Sequence, residues 1–352
     1  MLLFRAGWTE CAVNSSLLGR FPAWRGMAAQ FAATAGGLVA ILIVAAILTP
    51  PFYSAANLTL ILIQVGFIGV TGIGQTLVLL VGGIDLSVGA VIGLTMVTVA
   101  VATGGQGGRL GTAIALAFGL GLLVGVVNAL LAAIRRVPAF IATFATFILA
   151  EGVLLAWTKG APSGQIPASL GTIGAGKAAG IPVPALIFAV LLALSAFTLT
   201  RTTYGRRIYA TGSNQVAARL AGIPTTVIVA SAYVASAACA VVAGLLISGY
   251  TGYVDNQLIG SLNLDSIAAA VVGGTSLAGG RGGVGRTTVG VILIACLQSF
   301  MLLLNAGNAG KLIIEGAVIL GAVWLQARQR GGPVRPESRQ QVLPSAGSSQ
   351  IP

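Results

Sequence analysis

The carboxylates are the residues of this sequence with the clearest chemical potential, because they are few and lie in an apolar chain. Among 352 residues there are seven Asp and Glu and no histidine. Asp85, Glu151, Asp265 and Glu315 fall in or beside long apolar runs. A charge at mid-membrane costs about 2.5–3.5 kcal/mol on insertion scales, so each needs a structural partner or a role in transport.

The sequence contains no set of residues suited to catalysis or metal binding. Without histidine it offers no His-dependent acid–base chemistry and no His-ligated metal. Cys11, Cys239 and Cys296 are far apart, and two of them lie inside apolar runs, so they imply neither a disulfide framework nor a metal site. No nucleophile, base and orienting group occur together. We therefore expect no catalytic residue, no metal and no cofactor bound by this chain.

Asp85 belongs to a glycine-rich stretch, VGGIDLSVG at 81–89, that aligns without gaps with VGGTSLAGG at 272–280. This suggests an internal repeat, a common feature of transporters. Asp85 can cap the helix that follows, gate or pack a broken helix, or contact a solute, and capping is the simplest use. The residues of this gating or helix-cap motif are Gly82, Gly83, Asp85, Ser87, Gly273 and Gly274.

Amides and a charge pair are the other polar groups within apolar sequence. Lys311 lies one turn before Glu315, so the two can pair on one helix face, and Asp265 most simply caps a short helix. Neutral amides can exchange hydrogen bonds with a polyhydroxylated solute, although bonding between helices is their more general use. The amides considered for a translocation path are Gln64, Gln75, Asn128 and Gln298.

Two glycine patterns imitate nucleotide-binding motifs. GTIGAGKA at 171–178 nearly matches the phosphate-binding loop, but Ala178 replaces the required Ser or Thr and no strand precedes it. Gly280, Gly282 and Gly285 spell GxGxxG in a loop between membrane helices, without the βαβ context that the motif needs. Neither pattern predicts nucleotide binding.

The elements that must position these groups are membrane helices. The chain is 56% hydrophobic and 7% charged, with a mean hydropathy of +0.97, whereas soluble domains carry about 25% charged residues. We predict an all-α, polytopic membrane protein with about ten transmembrane helices. The two copies of the repeat are six predicted helices apart, which makes them parallel. If one span is miscounted, the number becomes odd and the copies are inverted. The predicted spans are 32–50, 57–80, 84–103, 110–134, 138–157, 183–200, 225–250, 265–280, 286–305 and 311–327.

The basic residues indicate how the chain is oriented. With the N-terminus inside, fifteen of the 19 Lys and Arg fall in cytoplasmic segments and four outside, a positive-inside bias that places both termini in the cytoplasm. They cluster at the ends of apolar runs, so the net charge of +12 does not indicate a nucleic-acid surface. We expect a cytoplasmic segment 1–31, in which Met27 offers a second start site, a transmembrane domain 32–327 and a disordered cytoplasmic tail 328–352.

The segment 201–224, RTTYGRRIYATGSNQVAARLAGIP, is the one extended polar stretch between two long apolar runs in the middle of the chain; we call it the polar segment. It predicts a short helix with Asn214 as N-cap, 215–220 as body and Gly222 as stop, followed by Pro224. A rigid helix between two spans can contact a water-soluble partner protein. A basic turn that merely anchors the spans is the simpler alternative.

The chain resembles the membrane permease subunit of bacterial ATP-binding-cassette sugar importers, the ribose, xylose, arabinose, galactose and autoinducer-2 type. The residues carrying the match are GGIDLSVGA at 82–90, GRRIYATGSNQVAARLAGI at 205–223 and LDSIAAAVVGGTSLAGGRGGVGRT at 264–287. The match runs from about residue 32 to 327 in order and spacing.

The resemblance implies a sugar permease in the bacterial inner membrane that has no ATPase of its own. It implies separate ATPase subunits that bind the ATP, a periplasmic sugar-binding protein, and a second permease copy, with a homodimer expected, all within membrane lipid. An autonomous ion-coupled transporter or channel is the alternative function. The residues expected to couple the permease to the ATPase are Gly205, Arg206, Arg207, Asn214, Ala217, Ala218 and Gly222.

Overall fold

Helices dominate the computed structural model, which describes residues 22–160, 164–254 and 256–330. One two-stranded antiparallel hairpin, β1 (Lys177–Ala178) and β2 (Ile181–Pro182), lies in the loop before α7. The helices, in chain order, are α1 (Pro22–Leu48), α2 (Ala55–Leu80), α3 (Val88–Thr103), α4 (Leu110–Ala129), α5 (Ala139–Trp157), α6 (Gly171–Gly174), α7 (Val183–Arg201), α8 (Thr203–Ser213), α9 (Gln215–Leu220), α10 (Thr225–Thr251), α11 (Asn256–Val272), α12 (Val284–Leu303) and α13 (Gly307–Arg330).

The long helices agree with the predicted spans in number and order. Within the described residues ten helices have 16 residues or more, and each overlaps one predicted span. Six of them are long and apolar enough to cross a membrane: α2, α4 with the π-helical turn that follows it, α5, α7, α10 and α12. Three shorter apolar stretches lie in α1, α3 and α11. The all-α class is confirmed, whereas ten crossings remain a prediction.

Some boundaries differ from those predicted. The first helix starts at Pro22 instead of residue 32, and most of the predicted segment 1–31 and of the tail 328–352 lies outside the described residues. The largest error is at the eighth span, which we placed at 265–280. The helix is Asn256–Val272, because the glycine-rich residues 273–283 form a loop that the apolar count had included.

Glycines let the central helices approach closely. On α4, a side chain at Gly121 would collide with Val241 of α10, and a Cβ at Gly125 would lie 2.7 Å from that of Ala237. Small residues at such contacts are how membrane helices pack without a hydrophobic force between them. Gly121 and Gly125, four residues apart on α4, therefore mark a helix interface with α10.

The helices divide into an inner and an outer set. In α2 and α12, 67% of the most apolar 18-residue window is buried, against 28% in α4 and α5 and 17% in α7. The outer set exposes large apolar side chains such as Phe144, Leu149 and Phe197. Such a surface matches hydrocarbon and not water.

Candidate coupling site and the buried network beside it

The polar segment begins with a tight reversal between α7 and α8. Thr202 caps α8 by accepting a hydrogen bond from the backbone N–H of Gly205 at 3.2 Å. Gly205 is buried, and a side chain there would collide with the carbonyl oxygen of Leu199. Gly205 lies in the first turn of α8, a helix that we did not predict from the sequence.

The predicted short helix is present as α9. The Oδ1 atom of Asn214 accepts from the backbone N–H of Ala217 at 3.0 Å, which is the expected N-cap. At the other end, Gly222 N donates to Arg219 O and Ile223 N donates to Ala218 O, both at 3.0 Å. These two bonds form a Schellman motif, whose left-handed position is Gly222 with φ 78°. Local signals therefore fix both ends of α9.

The polar segment presents a mixed apolar and basic surface. Val216 and Leu220 of α9 are 69% and 85% exposed, and Ala217 beside them is exposed. Ala218 is buried inside the protein, so the expectation that both alanines face a partner is wrong for Ala218. The basic side chains at the surface are Arg206, Arg207 and Arg219.

The end of α8 lies against both glycine-rich stretches. A side chain at Gly212 would collide with the carbonyl oxygen of Leu80 and place its Cβ 2.6 Å from the backbone N of Gly280. Those two groups bond to each other, since Gly280 N donates to Leu80 O at 2.9 Å. The first stretch, the second stretch and the polar segment therefore meet at one point.

Tyr209 holds α8 to the second glycine-rich loop. Its hydroxyl donates to the carbonyl oxygen of Gly282 at 3.0 Å. Burial raises the pKa of Tyr209 above its ordinary value, while the positive charge of Arg286 opposes the rise. The hydroxyl therefore stays protonated near neutral pH and remains a donor.

The glycines of the two stretches have separate local functions. Gly82 and Gly274 adopt positive φ just after α2 and α11, Gly83 packs on the Tyr233 hydroxyl, and Gly273 packs on the backbone of α12. In the ungapped alignment Gly82 corresponds to Gly273 and not to Gly274, so the left-handed position falls one residue later in the second stretch. The internal repeat stays a prediction.

Asp85 lies in a buried turn before α3 and does not occupy its N-cap. The helix starts at Val88, so our placement of Asp85 at the cap is wrong. With 1% of Asp85 exposed, its Oδ1 atom accepts from Ser87 N at 2.9 Å and from Ser87 Oγ at 2.6 Å. Ser236 of α10 also faces the carboxyl group, although Oδ2 has no hydrogen bond of good geometry. The carboxylate thus fixes the turn instead of the helix end.

Two of the four amides considered for a translocation path belong to this buried turn. Gln75 of α2, with its amide oriented to pair both atoms, donates to Asp85 O at 3.1 Å and accepts from Asp85 N at 3.3 Å. Asn128 of α4 donates to Ser87 Oγ at 2.8 Å and accepts from Thr146 Oγ1 of α5 at 2.6 Å. We call Gln75, Asp85, Ser87, Asn128 and Thr146 the buried network. It joins α2, α3, α4 and α5, so these amides bond between helices.

The other two amides lie in a second polar cluster near the opposite helix ends. Gln298 of α12 donates to Glu315 Oε1 at 2.9 Å, and Lys311 Nζ lies 3.8 Å from the same oxygen, which confirms the predicted ion pair. Asp265 faces all three of these groups. Because Asp265 lies in the middle of α11, its expected capping role is wrong. Gln64 of α2 lines a cavity together with Asp265, Gln298 and Lys311.

Metal binding finds no support in the arrangement of side chains. Among the residues that the structure describes, no group of three His, Cys, Asp or Glu could hold an ion. Asp265 and Glu315 form the nearest approach to such a group, and Lys311 already neutralises part of their charge.

Comparisons with known proteins agree on one family. The family model described as "Branched-chain amino acid transport system / permease component" matches residues 57–323. The chain is similar to the ribose import permease protein of Escherichia coli strain K12, with 34% identity over 300 residues, which covers 83% of this chain and 93% of that protein. It is 36% identical over 296 residues to the ribose import permease protein of Bacillus subtilis strain 168, which covers 83% and 91%.

A third relative has a different substrate in its name. The autoinducer 2 import system permease protein of Enterobacter sp. strain 638 is 32% identical over 283 residues, which covers 80% of this chain and 82% of that protein. No solved structure gives a significant match.

Proposed function

Because this chain belongs to the branched-chain amino acid transport system / permease component family, we propose that it is the membrane permease subunit of an ATP-binding-cassette importer for a simple sugar. As a permease component it is a multi-pass membrane protein and not an enzyme. The observation that carries the sugar assignment is the identity of 34% and 36% to two ribose import permeases across 83% of the chain.

The energy and the first recognition step come from other polypeptides. Separate ATPase subunits bind the ATP, a periplasmic binding protein delivers the sugar, and a second copy of the permease completes the path. The chain crosses the bacterial inner membrane ten times with both termini in the cytoplasm. Ten long helices and the excess of Lys and Arg at one set of helix ends support this arrangement.

The polar segment is the surface that docks on the ATPase. Val216 and Leu220 stand out from α9 where water would otherwise meet them, and large apolar side chains at the centre of a surface are typical of protein contacts. Arg206, Arg207 and Arg219 of the same segment are also exposed, and their positive charge suits an acidic rim on the partner.

Docking is transmitted to the membrane helices through Gly212. When the ATPase subunits close on ATP, α9 and α8 move together, since Asn214 joins them directly. The end of α8 then displaces the two glycine-rich stretches, the first of which contributes Asp85 and Ser87 to the buried network. The helices alternate between outward and inward openings, and nucleotide shifts that equilibrium only through its different affinity for the two states.

Reconstitution separates this function from ion-coupled transport. The chain is inserted into liposomes alone, or with its ATPase subunits and binding protein, and uptake of radioactive D-ribose is measured with ATP or with an ion gradient. We expect uptake only from the complete complex with ATP. Uptake by the lone chain under an ion gradient would overturn the proposal.

A tryptophan at Ala217 tests docking on its own. Ala217→Trp enlarges an exposed position between Val216 and the end of α9, so we expect ATP-dependent uptake and the associated rise in ATP hydrolysis to fall at least 10-fold. Val190→Trp, on the exposed face of α7, is the matched control and retains uptake. Both proteins should insert in equal amounts, and unchanged coupling in Ala217→Trp would exclude this surface.

A further inference from the structure

A groove of about 500 Å³ runs between α4 and α5 with α3 beneath it. Leu94 of α3 and Ala150 of α5 line it and are buried. Leu123, Leu149 and Val153 also line it, and they are 58%, 67% and 59% exposed. The groove therefore opens from a buried floor onto the apolar surface of the helices.

The walls of the groove suit hydrocarbon. Apart from the indole N–H of Trp157, the one polar side chain that lines the groove is that of Thr146. Its hydroxyl already donates to Asn128 Oδ1 at 2.6 Å, within the buried network. An apolar groove that stays empty forfeits dispersion contacts along its whole length, so an occupant that brings carbon atoms is favoured.

The length of the groove matches one leaflet of a bilayer. Thr146 and Trp157, which line its two ends, are 11 residues apart on α5, or about 16 Å at 1.5 Å per residue. Half of a hydrocarbon core about 30 Å thick is about 15 Å. The buried network lies on the side of the polar segment, because Asp85 follows Leu80 closely and Leu80 O contacts Gly212. The groove thus spans the leaflet opposite the polar segment.

The width of the groove favours one flexible chain over a helix. A volume of about 500 Å³ over about 16 Å leaves a mean cross-section of about 30 Å². A helix with its side chains is about 10–12 Å across and needs about 80–110 Å². A lipid acyl chain fits this space, whereas a helix of a second permease copy would lie above it.

Positive charge marks the end of the groove at Trp157. This residue ends α5 and is 44% exposed, and tryptophan is enriched at the level of lipid headgroups. Lys159 follows it and Arg109 directly precedes the antiparallel helix α4, and both are exposed. Neither takes part in an ion pair among the described residues. Glu151, the carboxylate on α5, lies about 100° around the helix from Ala150 and does not line the groove.

We propose that the groove between α4 and α5 is a binding site for an anionic phospholipid of the leaflet opposite the polar segment. One acyl chain lies between Thr146 and Trp157, and the phosphate lies at the headgroup level beside Lys159 and Arg109. Lysine binds phosphate as a point charge. The inference goes beyond the importer function, because it holds whichever solute the protein carries.

Native mass spectrometry of the delipidated permease with its ATPase subunits, in detergent, tests the site. The probes are phosphatidylglycerol and phosphatidylethanolamine that carry the same palmitoyl and oleoyl chains. We expect the first phosphatidylglycerol to bind at least 5-fold more tightly than the first phosphatidylethanolamine, because only the former has a net negative charge. Equal affinities, or no saturable binding of phosphatidylglycerol, would overturn the proposal.

Two variants test the two ends of the site separately. Val153→Trp fills the groove from an exposed position and should weaken the binding of both lipids at least 10-fold, while Val190→Trp on the exposed face of α7 leaves it unchanged. Lys159→Gln should weaken phosphatidylglycerol binding about 5-fold and leave phosphatidylethanolamine binding unchanged. Lys177→Gln, in the exposed hairpin before α7, is its matched control and binds both lipids normally.

The same spectra distinguish a lipid from a second permease copy as the occupant. The mass of the complex reports how many permease copies it contains. Suppose that Val153→Trp loses a permease copy while each remaining copy binds phosphatidylglycerol with unchanged affinity. The groove would then belong to a subunit interface, and the lipid site would be refuted. Weaker lipid binding with the number of copies unchanged would support the lipid site.

Discussion

Replacing Gly212 by alanine should uncouple the polar segment from the membrane helices. The added Cβ would collide with Leu80 O and lie 2.6 Å from Gly280 N, whereas carbon atoms in contact prefer about 3.5–4.0 Å. The end of α8 must therefore move by roughly 1 Å, which also strains the bond from Gly280 N to Leu80 O. Overpacking costs about 1–3 kcal/mol and the weakened bond about 1 kcal/mol.

Alanine favours the helical conformation more than glycine does, which stabilises the folded variant by about 1 kcal/mol and offsets part of this loss. The net loss for Gly212→Ala is then about 1–3 kcal/mol, seen as a fall of a few degrees in the thermal midpoint in detergent. We expect ATP-dependent uptake to fall at least 10-fold while ATP hydrolysis by the complex continues. The matched control is Gly285→Ala in the first turn of α12, where nothing lies within 4 Å of the new Cβ.

The result that refutes this reasoning is specific. Suppose that Gly212→Ala has the same uptake, ATP hydrolysis and thermal midpoint as the unaltered protein. The close contact between Gly212 and Leu80 would then contribute neither to stability nor to coupling. Equal losses in Gly285→Ala would mean that any added methyl group at this side disturbs the protein, and the contact would lose its special role.

Substitutions at three further positions test the surroundings of that contact. Asp85→Asn keeps an acceptor for Ser87 and should lower the thermal midpoint less than Asp85→Ala does. The alanine leaves two donors, Ser87 N and Ser87 Oγ, unpaired at about 1–3 kcal/mol each. Equal losses in the two variants would indicate that the charge itself is needed. Tyr209→Phe removes the bond to Gly282 O and should cost about 1 kcal/mol and slow uptake with normal insertion, and unchanged uptake would show that this bond does not serve coupling. Asn128→Leu breaks both of its hydrogen bonds and should reduce the purified yield and the midpoint by the equivalent of about 2–4 kcal/mol; a stable, active variant would contradict the network.

Features determined by neighbouring residues could be predicted from the sequence. The ends of α9 follow from Asn214 and Gly222, whose capping chemistry acts within four residues. The order of the long helices follows from apolar runs of membrane length. The pairing of Lys311 with Glu315 follows from helical spacing. Each needs only one element to form.

Features that join distant elements could not be predicted in this way. Asp265 looked like a cap because it follows polar residues, yet it lies within α11 and faces Glu315 on α13. Ser87 meets Asn128 only because α3 packs on α4. Single-sequence patterns contain no term for such packing. By contrast, the N-cap Thr202 is a local signal from which α8 could have been predicted.

The hydrogen bond from Gly280 N to Leu80 O also has a consequence for how the protein is made. Its two residues are 200 positions apart, and a ribosome that adds about 5–20 residues per second needs roughly 10–40 s to travel between them. During that interval α2 and α3 have already been synthesised while the turn that joins them lacks this partner. In a nascent chain halted after α10, the turn after α2 would therefore lack the hydrogen bond from Gly280 N to Leu80 O. The part of the chain made late thus completes the packing of the part made early.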